Sequence, residues 1–264
     1  MILSLFTCFS CVKDGSARKD GAKNTDQTSN DEAEFYAHLS SSLAGAKLPE
    51  SVSSRIQESI AADPAFIIDL FTIIQTDPYL WLLVDKEHSL SEDYAPEDLV
   101  ELKNGSYRVN RNGLLLRSAA AASLEEMASS ARSEGLTLTA SSAYRSYGYQ
   151  VEVYARNVRE MGQEEADRVS ARPGHSQHQL GLVVDFGSIT DAFAGTAEGR
   201  WLAANASRFG WSLSYPQGYE EVTGYRWESW HYRYVGKELA EFIDNYFGGI
   251  QHYALRFIHE FKNN

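Results

Sequence analysis

The chain contains, at positions 176–185, the segment Ser176-Gln177-His178-Gln179-Leu180-Gly181-Leu182-Val183-Val184-Asp185. Its apolar end is typical of a central strand, on which Asp185 shares a face with Val183. An unpaired carboxylate is costly to bury in such a strand, which favours a bound cation beside it. Gly181 allows the chain to bend, so that His178 can return toward Asp185. The segment therefore predicts two metal ligands within one short stretch of chain.

A second segment, further along the chain, reads Glu228-Ser229-Trp230-His231. A catalytic zinc ion takes three protein ligands and keeps one open position. We expect His178, Asp185 and His231 to hold one Zn²⁺ per chain, and Glu228 to take a proton from water. Residues three apart in a flat strand face opposite sides, so Glu228 must precede the strand in a turn or be redirected by a bulge. We predict that the regular strand begins at about Trp230.

Two alternatives concern the same segment. His175 is a competing ligand, which we rank below His178 because it directly follows the Pro173-Gly174 turn. A serine hydrolase would use Ser176 with His178 and Asp185, but the chain lacks the G-x-S-x-G pattern of a nucleophile elbow. The metal site is the preferred interpretation.

Arg145 is a further candidate catalytic residue. It lies in the run Ser142-Ala143-Tyr144-Arg145-Ser146-Tyr147, after a segment with the alternation of a strand. A fixed guanidinium there could stabilise the negative charge that develops on a carbonyl oxygen during amide hydrolysis. The alternative is a structural salt bridge between Arg145 and a surface carboxylate.

Composition limits the class of protein. The 264 residues include 43% hydrophobic residues and carry a formal net charge of −12. An acidic chain without a basic cluster is a poor match for nucleic acid, which we exclude as a partner. The cysteines are Cys8 and Cys11, both near the start, so the folded part has no disulfide and no thiolate metal site. Nitrogen and oxygen atoms must hold any metal.

The amino-terminal third divides by composition. Residues 1–12 form a short apolar run, interpreted as a signal or lipoprotein-like segment with Cys11 as the lipid acceptor, or as a chance apolar start. Residues 13–33 are polar and predict a flexible tether. Residues 34–78 predict a helical appendage, and residues 79–264 the domain that carries the zinc site. We expect an exported protein of the cell envelope or periplasm, whose only membrane contact is the lipid on Cys11.

Hydrophobic periodicity gives a coarse list of elements. Apolar spacing and helix-ending signals predict helices at 52–62, 65–76, 117–134, 196–209 and 237–247, another helix through Gln150, and a helical tail from 250. Alternating or continuous apolar runs predict strands at 136–140, 182–186 and 230–235. We therefore predict an α+β fold, with a small and mainly antiparallel sheet flanked by helices.

These residues also match a known family pattern. Ser176, His178, Gly181 and Asp185 meet S-x-H-x-x-G-x-x-x-D, Glu228-Ser229-Trp230-His231 meets E-x-W-H, and Tyr144-Arg145-Ser146 meets Y-R-S. Across roughly 79–247 the chain resembles the VanY-like D-alanyl-D-alanine carboxypeptidases, zinc peptidases of the group shared with lysostaphin-type enzymes and the hedgehog fold. The chain departs from the usual family pattern at three positions. Val183 stands where the family usually has alanine, Ser229 where it has proline, and Ser214 where it often has arginine.

The resemblance implies specific roles. It assigns zinc binding to His178, Asp185 and His231, the catalytic base to Glu228, and transition-state stabilisation to Arg145, and it places Gln150 and Ser176 near bound substrate. The implied reaction is removal of the C-terminal D-alanine from peptidoglycan stem peptides, with D,D-carboxypeptidase activity favoured. The alternatives are L,D-carboxypeptidase activity on tetrapeptide stems and a non-catalytic peptidoglycan-binding protein of the same fold.

Overall fold

The computed structural model describes residues 25–264. The segment 1–12, including Cys11, and residues 13–24 of the expected tether lie outside the described residues. The described chain forms two compact units, one of residues 25–68 with 256–264 and the other of Asp69–Leu255. The division into an appendage at 34–78 and a peptidase domain at 79–264 stays a prediction. None of the helices between residues 25 and 264 has the length and apolar character that a bilayer span requires.

The first unit is helical. It contains α1 (Thr25–Gly45), α2 (Glu50–Ala62) and the beginning of α3 (Ala65–Ile74). Phe35, Leu39 and Leu43 recur every fourth residue on α1 and are buried. α1 begins within 13–33, so the tether prediction is wrong for residues 25–33. The reason is that residues 31–40 contain good helix formers, which carry the helix back into the polar segment.

The second unit is built on a five-stranded sheet with strand order β2-β4-β5-β7-β6. β1 and β3 form a separate antiparallel pair. The strand bounds are β1 Leu99–Glu101, β2 Arg108–Val109, β3 Leu115–Arg117, β4 Thr139–Ser142, β5 Val183–Phe186, β6 Trp211–Leu213 and β7 His231–Tyr234. Only β2 and β4 pair in parallel, so the prediction of a small, mainly antiparallel sheet is confirmed.

Helices flank this sheet. They are α4 Pro78–Trp81, α5 Ser118–Ser133, α6 Tyr147–Met161, α7 Gln163–Val169, α8 Ala197–Asn205, α9 Glu220–Thr223 and α10 Lys237–Phe247. The last helix, α11 Gln251–Asn263, begins in the second unit and ends in the first. The helix expected at 196–209 ends early and continues as a 3-10 turn, Ala206–Phe209, before Gly210 with φ +82°. The strand expected at 136–140 lies later, at β4, because pairing with β5 sets its position.

The two faces of the sheet have different roles. Val184 and Phe186 on β5 and Tyr232 on β7 belong to the main hydrophobic core, together with Leu124 and Met127 of α5. Side chains alternate along a strand, so the residues between them face the other way. The opposite face of β5 and β7 therefore carries the polar residues of the candidate site.

Candidate metal centre and active site

Strand pairing brings two of the predicted ligands together. Asp185 on β5 lies directly opposite His231 on β7 and opposite Ser142 on β4. Directly opposed residues of antiparallel strands place their side chains on the same face, a few ångströms apart. His231 is the first residue of β7, one residue after the predicted start of the strand. The Asp185 Oδ1 atom lies 3.2 Å from the His231 Nδ1 atom.

His178 reaches the same point from a 3-10 turn, Gln177–Leu180, that precedes β5. Gly181 ends this turn in the left-handed conformation, with φ +68°, and a Cβ atom there would lie 3.0 Å from the side chains of Arg117 and Leu99. Glycine is therefore the residue that allows the reversal predicted from sequence. It places the His178 Nε2 atom 3.2 Å from the Asp185 Oδ2 atom.

Hydrogen bonds select a different tautomer for each of the two imidazole rings. The His178 Nδ1 atom lies 2.7 Å from the Ala143 carbonyl oxygen, so it donates and leaves the Nε2 lone pair facing Asp185. The His231 Nε2 atom faces the Gln177 Oε1 atom at 3.4 Å, which assigns the proton to Nε2 and the lone pair to Nδ1. The ring planes are 85° apart. Two nitrogen lone pairs therefore converge on one carboxylate.

This arrangement fits a metal ion. Ligand atoms of His178, Asp185 and His231 lie within 4.8 Å of one another, and all three residues are buried. The Asp185 Oδ1 atom is buried and makes no hydrogen bond with the described residues. Lone pairs 3.2 Å apart repel unless a proton or a cation lies between them. Two imidazoles and one carboxylate form a donor set that suits Zn²⁺.

The electrostatics of the three residues are strongly coupled. Burial raises the pKa of Asp185, but the two imidazoles outweigh it and hold that pKa far below its ordinary value. Burial lowers the pKa of His178 to about 4. Burial also lowers the pKa of His231, but the adjacent carboxylates of Asp185 and Glu228 outweigh it and raise that pKa to about 9. A divalent cation competes with this proton for the same position.

Glu228 lies in the turn before β7. The His231 amide donates to the Glu228 carbonyl oxygen at 3.2 Å, which closes the turn, and the Glu228 amide donates to the Tyr215 carbonyl oxygen at 3.0 Å. The Glu228 Oε2 atom is 3.3 Å from the His231 Nδ1 atom. Because Glu228 lies in a turn and not in the strand, its side chain faces the same site as His231, although the two residues are three apart in sequence. Burial raises the pKa of Glu228, although its contact with His231 opposes the shift.

Arg145 lies three residues after β4 and faces the same site. Its Nη1 atom donates to the Gln150 Oε1 atom at 2.7 Å, and its Nη2 atom faces the Ser142 hydroxyl at 3.4 Å. Burial lowers its pKa, while the charges of Asp185 and Glu228 oppose the shift. Among the described side chains, those of residues 30–264, no carboxylate forms a close ion pair with Arg145, so the alternative of a surface salt bridge is not observed.

A cavity of about 160 Å³ joins these groups. The predicted residues that line it are Arg145, Ser176, His178, Asp185, Glu228 and His231. Gln150 does not line it, because this residue is fully buried behind Arg145 and donates to the Ala171 carbonyl oxygen at 2.5 Å. His175 is also elsewhere, with its Nδ1 atom 2.7 Å from the Asp85 carbonyl oxygen.

Sequence reasoning missed two tyrosines and one glutamine of the site. Tyr215 packs on His231 with ring centroids 4.7 Å apart, and Tyr225 packs on Tyr215 at 5.0 Å. Both tyrosines line the cavity. Their positions close to the E-x-W-H segment were the available signal. Gln177 carried a weaker signal, because the residue between the serine and the histidine is unspecified in the family pattern.

The fold and the buried His-Asp-His cluster define a metal-dependent hydrolase centre. A sequence profile of the VanY family, described as D-alanyl-D-alanine carboxypeptidase, matches residues 113–237. YodJ of Bacillus subtilis (strain 168) is 32% identical over 241 residues, which cover 89% of this chain and 85% of YodJ. The chain belongs to the VanY D-alanyl-D-alanine carboxypeptidase family.

Solved structures agree with this assignment. The LD-carboxypeptidase LdcB is 34% identical with a TM-score of 0.59, covering 66% of this chain and 88% of LdcB. The D,D-pentapeptidase VanY of the VanB-type vancomycin resistance cassette, in complex with Zn(II), is 31% identical with a TM-score of 0.56, covering 70% of this chain and 99% of that one. The protein is therefore a zinc carboxypeptidase of the VanY family, and His178, Asp185 and His231 are its candidate metal site.

Proposed function

We propose that the protein removes the C-terminal D-alanine from peptidoglycan stem pentapeptides, as an exported D,D-carboxypeptidase of the cell envelope. The observation that carries the proposal is that Glu228 and Arg145 share one cavity with the three candidate ligands. The family is described by its action on D-alanyl-D-alanine, and LdcB by its recognition of peptidoglycan. A lipid on Cys11 would keep the enzyme close to this substrate.

His178, Asp185 and His231 would hold the zinc ion. When bound, Zn²⁺ supplies Lewis acidity that polarises the scissile carbonyl and acidifies water. Glu228 would accept a proton from the attacking water and deliver it to the leaving amine. The upward shift of the pKa of its carboxyl group favours the first step, because a higher pKa makes the carboxylate a stronger base.

Arg145 would stabilise the negative charge that develops on the carbonyl oxygen. Its guanidinium is partly buried, so its charge is screened less than it would be in water and stabilises the carbonyl oxygen more strongly. Gln150 supports this role from behind, because its carboxamide connects Arg145 to the Ala171 carbonyl. Ser176 lines the cavity, and its hydroxyl would contact the substrate.

L,D-carboxypeptidase activity is the second candidate. The observation in its favour is the similarity to LdcB, which equals or exceeds the similarity to the D,D-pentapeptidase VanY in both identity and TM-score. A non-catalytic peptidoglycan-binding protein is the third candidate. The carboxylate of Glu228, 3.3 Å from the ligand His231, argues against it, because binding alone requires no base.

The test uses the purified, zinc-loaded protein with a stem pentapeptide and a stem tetrapeptide, and mass spectrometry of the products. Loss of one D-alanine from the pentapeptide alone is the expected result. Cleavage of the tetrapeptide alone would replace the D,D assignment by the L,D one. Binding of both stems without cleavage, at full zinc occupancy, would support the non-catalytic alternative.

A further inference from the structure

A second cavity of about 220 Å³ adjoins the catalytic one. Its lining consists of Lys86, Asp167, Ser170, Arg172, His175 and Tyr225. Ser170 and Tyr225 line both cavities, so the two lie side by side. We call this second space the Lys86 cavity. Its position makes it a candidate site for a part of the peptide that lies beyond the metal centre.

Lys86 is the cation of this cavity without a close carboxylate partner. Arg172 is neutralised by Asp167, with nitrogen–oxygen distances of 3.1 and 2.9 Å. Among residues 30–264, whose side chains the structure describes, no carboxylate lies within ion-pair distance of the Lys86 Nζ atom. Glu220 is affected by its charge at longer range, but Glu220 is already paired with Arg168.

The side chain of Lys86 is held in position by its neighbours. Its Nζ atom lies 5.0 Å from the centre of the Tyr225 ring. A Cβ atom on Gly224 would come within 2.8 Å of the Lys86 Cδ atom, so the aliphatic stem of Lys86 lies directly against this glycine. A lysine whose stem packs on the protein keeps its ammonium group directed into water or toward a ligand.

The backbone of Lys86 is also fixed. The Asp85 Oδ1 atom accepts hydrogen bonds from the amides of Glu87 and His88, each at 2.8 Å. The Asp85 carbonyl accepts from the His175 ring at 2.7 Å, which ties this turn to the segment that carries Ser176. The backbone that carries Lys86 is therefore anchored to the same segment as Ser176.

The distance between the metal centre and the Lys86 ammonium group limits which part of a substrate can reach Lys86. Ring contacts of 4.7 and 5.0 Å connect His231 to Tyr215 and Tyr215 to Tyr225, and the Lys86 ammonium is one further step of 5.0 Å away. Extended peptide covers about 3.5 Å per residue, so a few residues span this path. The C-terminal carboxylate of a carboxypeptidase substrate is one residue from the scissile bond and must lie within the catalytic cavity.

We propose that the Lys86 cavity binds a free carboxylate carried by a residue on the amino-terminal side of the scissile bond in the stem peptide. This inference rests on the proposed function, because it names a second point of contact with the same substrate. In a stem with lysine at the third position, the only such carboxylate belongs to the γ-linked D-glutamate. Stems in which this carboxylate is amidated lose the charge while keeping the same length.

The experiment compares these two stems, free and amidated, on zinc-loaded wild type, Lys86→Met and Lys86→Arg. We expect the wild type to have a KM about fivefold lower for the free carboxylate, the effect of one exposed ion pair. Lys86→Met should lose this preference with kcat unchanged, and Lys86→Arg should retain it. Lys237→Met removes one lysine charge on the surface, where Lys237 pairs with Glu126, and is the matched control.

An equal KM for both stems in the wild type, or an unchanged preference in Lys86→Met, would overturn the inference. Calorimetric binding of both stems to the same proteins keeps it separate from the proposed function. If neither stem is cleaved, the proposed function fails, while the difference in affinity between the stems still decides whether Lys86 binds the carboxylate.

Discussion

Gln177 faces His231 on the side of the imidazole away from Asp185, with the Gln177 Oε1 atom 3.4 Å from the His231 Nε2 atom. The Ser214 hydroxyl donates to the same Oε1 atom at 2.8 Å, and all three side chains are buried. The carboxamide oxygen is thus held toward the imidazole and directs the Nδ1 lone pair of His231 at the metal position. Groups that hydrogen-bond to a metal ligand on the side away from the metal commonly change its metal affinity.

Gln177→Leu should weaken zinc binding by about 10- to 100-fold, because the His231 ring loses the acceptor that fixes its tautomer. Competition with a chromophoric chelator measures the zinc Kd directly. Ser214→Ala, which leaves the carboxamide in place, should change it less. An unchanged zinc Kd in Gln177→Leu would show that His231 is oriented by other contacts.

Glu228→Gln should keep zinc bound and lower kcat by about two to four orders of magnitude, because the carboxamide cannot accept a proton from water. Zinc content and stem hydrolysis are measured on the same preparation. Glu221→Gln, at an exposed position of α9, is the matched control and should behave as wild type. Turnover near the normal rate in Glu228→Gln would exclude Glu228 as the base.

Arg145→Lys should lower kcat by about 10²- to 10³-fold with zinc still bound, because a shorter, differently shaped cation cannot keep both its contact with Gln150 and its aim at the carbonyl oxygen. Gln150→Leu should give a smaller loss, since the guanidinium remains but is less firmly held. Steady-state kinetics with the cleaved stem separate kcat from KM. Arg159→Lys, exposed on α6, serves as the control, and an equal loss there would argue for a general defect.

Asp85 should stabilise the protein in a pH-dependent way. Burial raises its pKa, but hydrogen bonds from His88 and the Glu87 amide outweigh it and lower that pKa below 3.8. His252 faces the same carboxylate at 3.7 Å. A lowered folded-state pKa means that the stabilisation is present above pH 3.8 and is lost as the pH falls through the folded pKa.

Asp85→Asn should therefore lower the free energy of unfolding by about 1–3 kcal/mol at pH 7, and the difference from wild type should shrink below pH 3.8. Urea unfolding of both proteins at a series of pH values, with a chelator present so that metal loss contributes nothing, measures this. A difference that stays constant down to the lowest pH would contradict the assignment.

Helices and strands with a clear sequence pattern were predicted at the right positions, whereas the shortest strands were not predicted. The run that became β5 was recognisable because it is almost continuously apolar, and the residues of α10 were numerous enough to show a helical period; both elements lie where they were expected. β2 and β6, with two and three residues, are too short for any period to be visible. Their existence depends on pairing with strands that are distant in sequence, which local residue preferences do not encode.

The sequence by itself determined the types of the metal-binding residues. A carboxylate within an apolar strand is costly to bury without a cation, and two histidines in the neighbouring motifs can supply the other ligands. Only the tertiary structure decided how they meet. Strand register set Asp185 opposite His231, the turn at Glu228 turned that side chain toward the site, and packing buried Gln150 behind Arg145. Register and packing arise from contacts between remote segments, whereas residue chemistry is local and can be read directly from the chain.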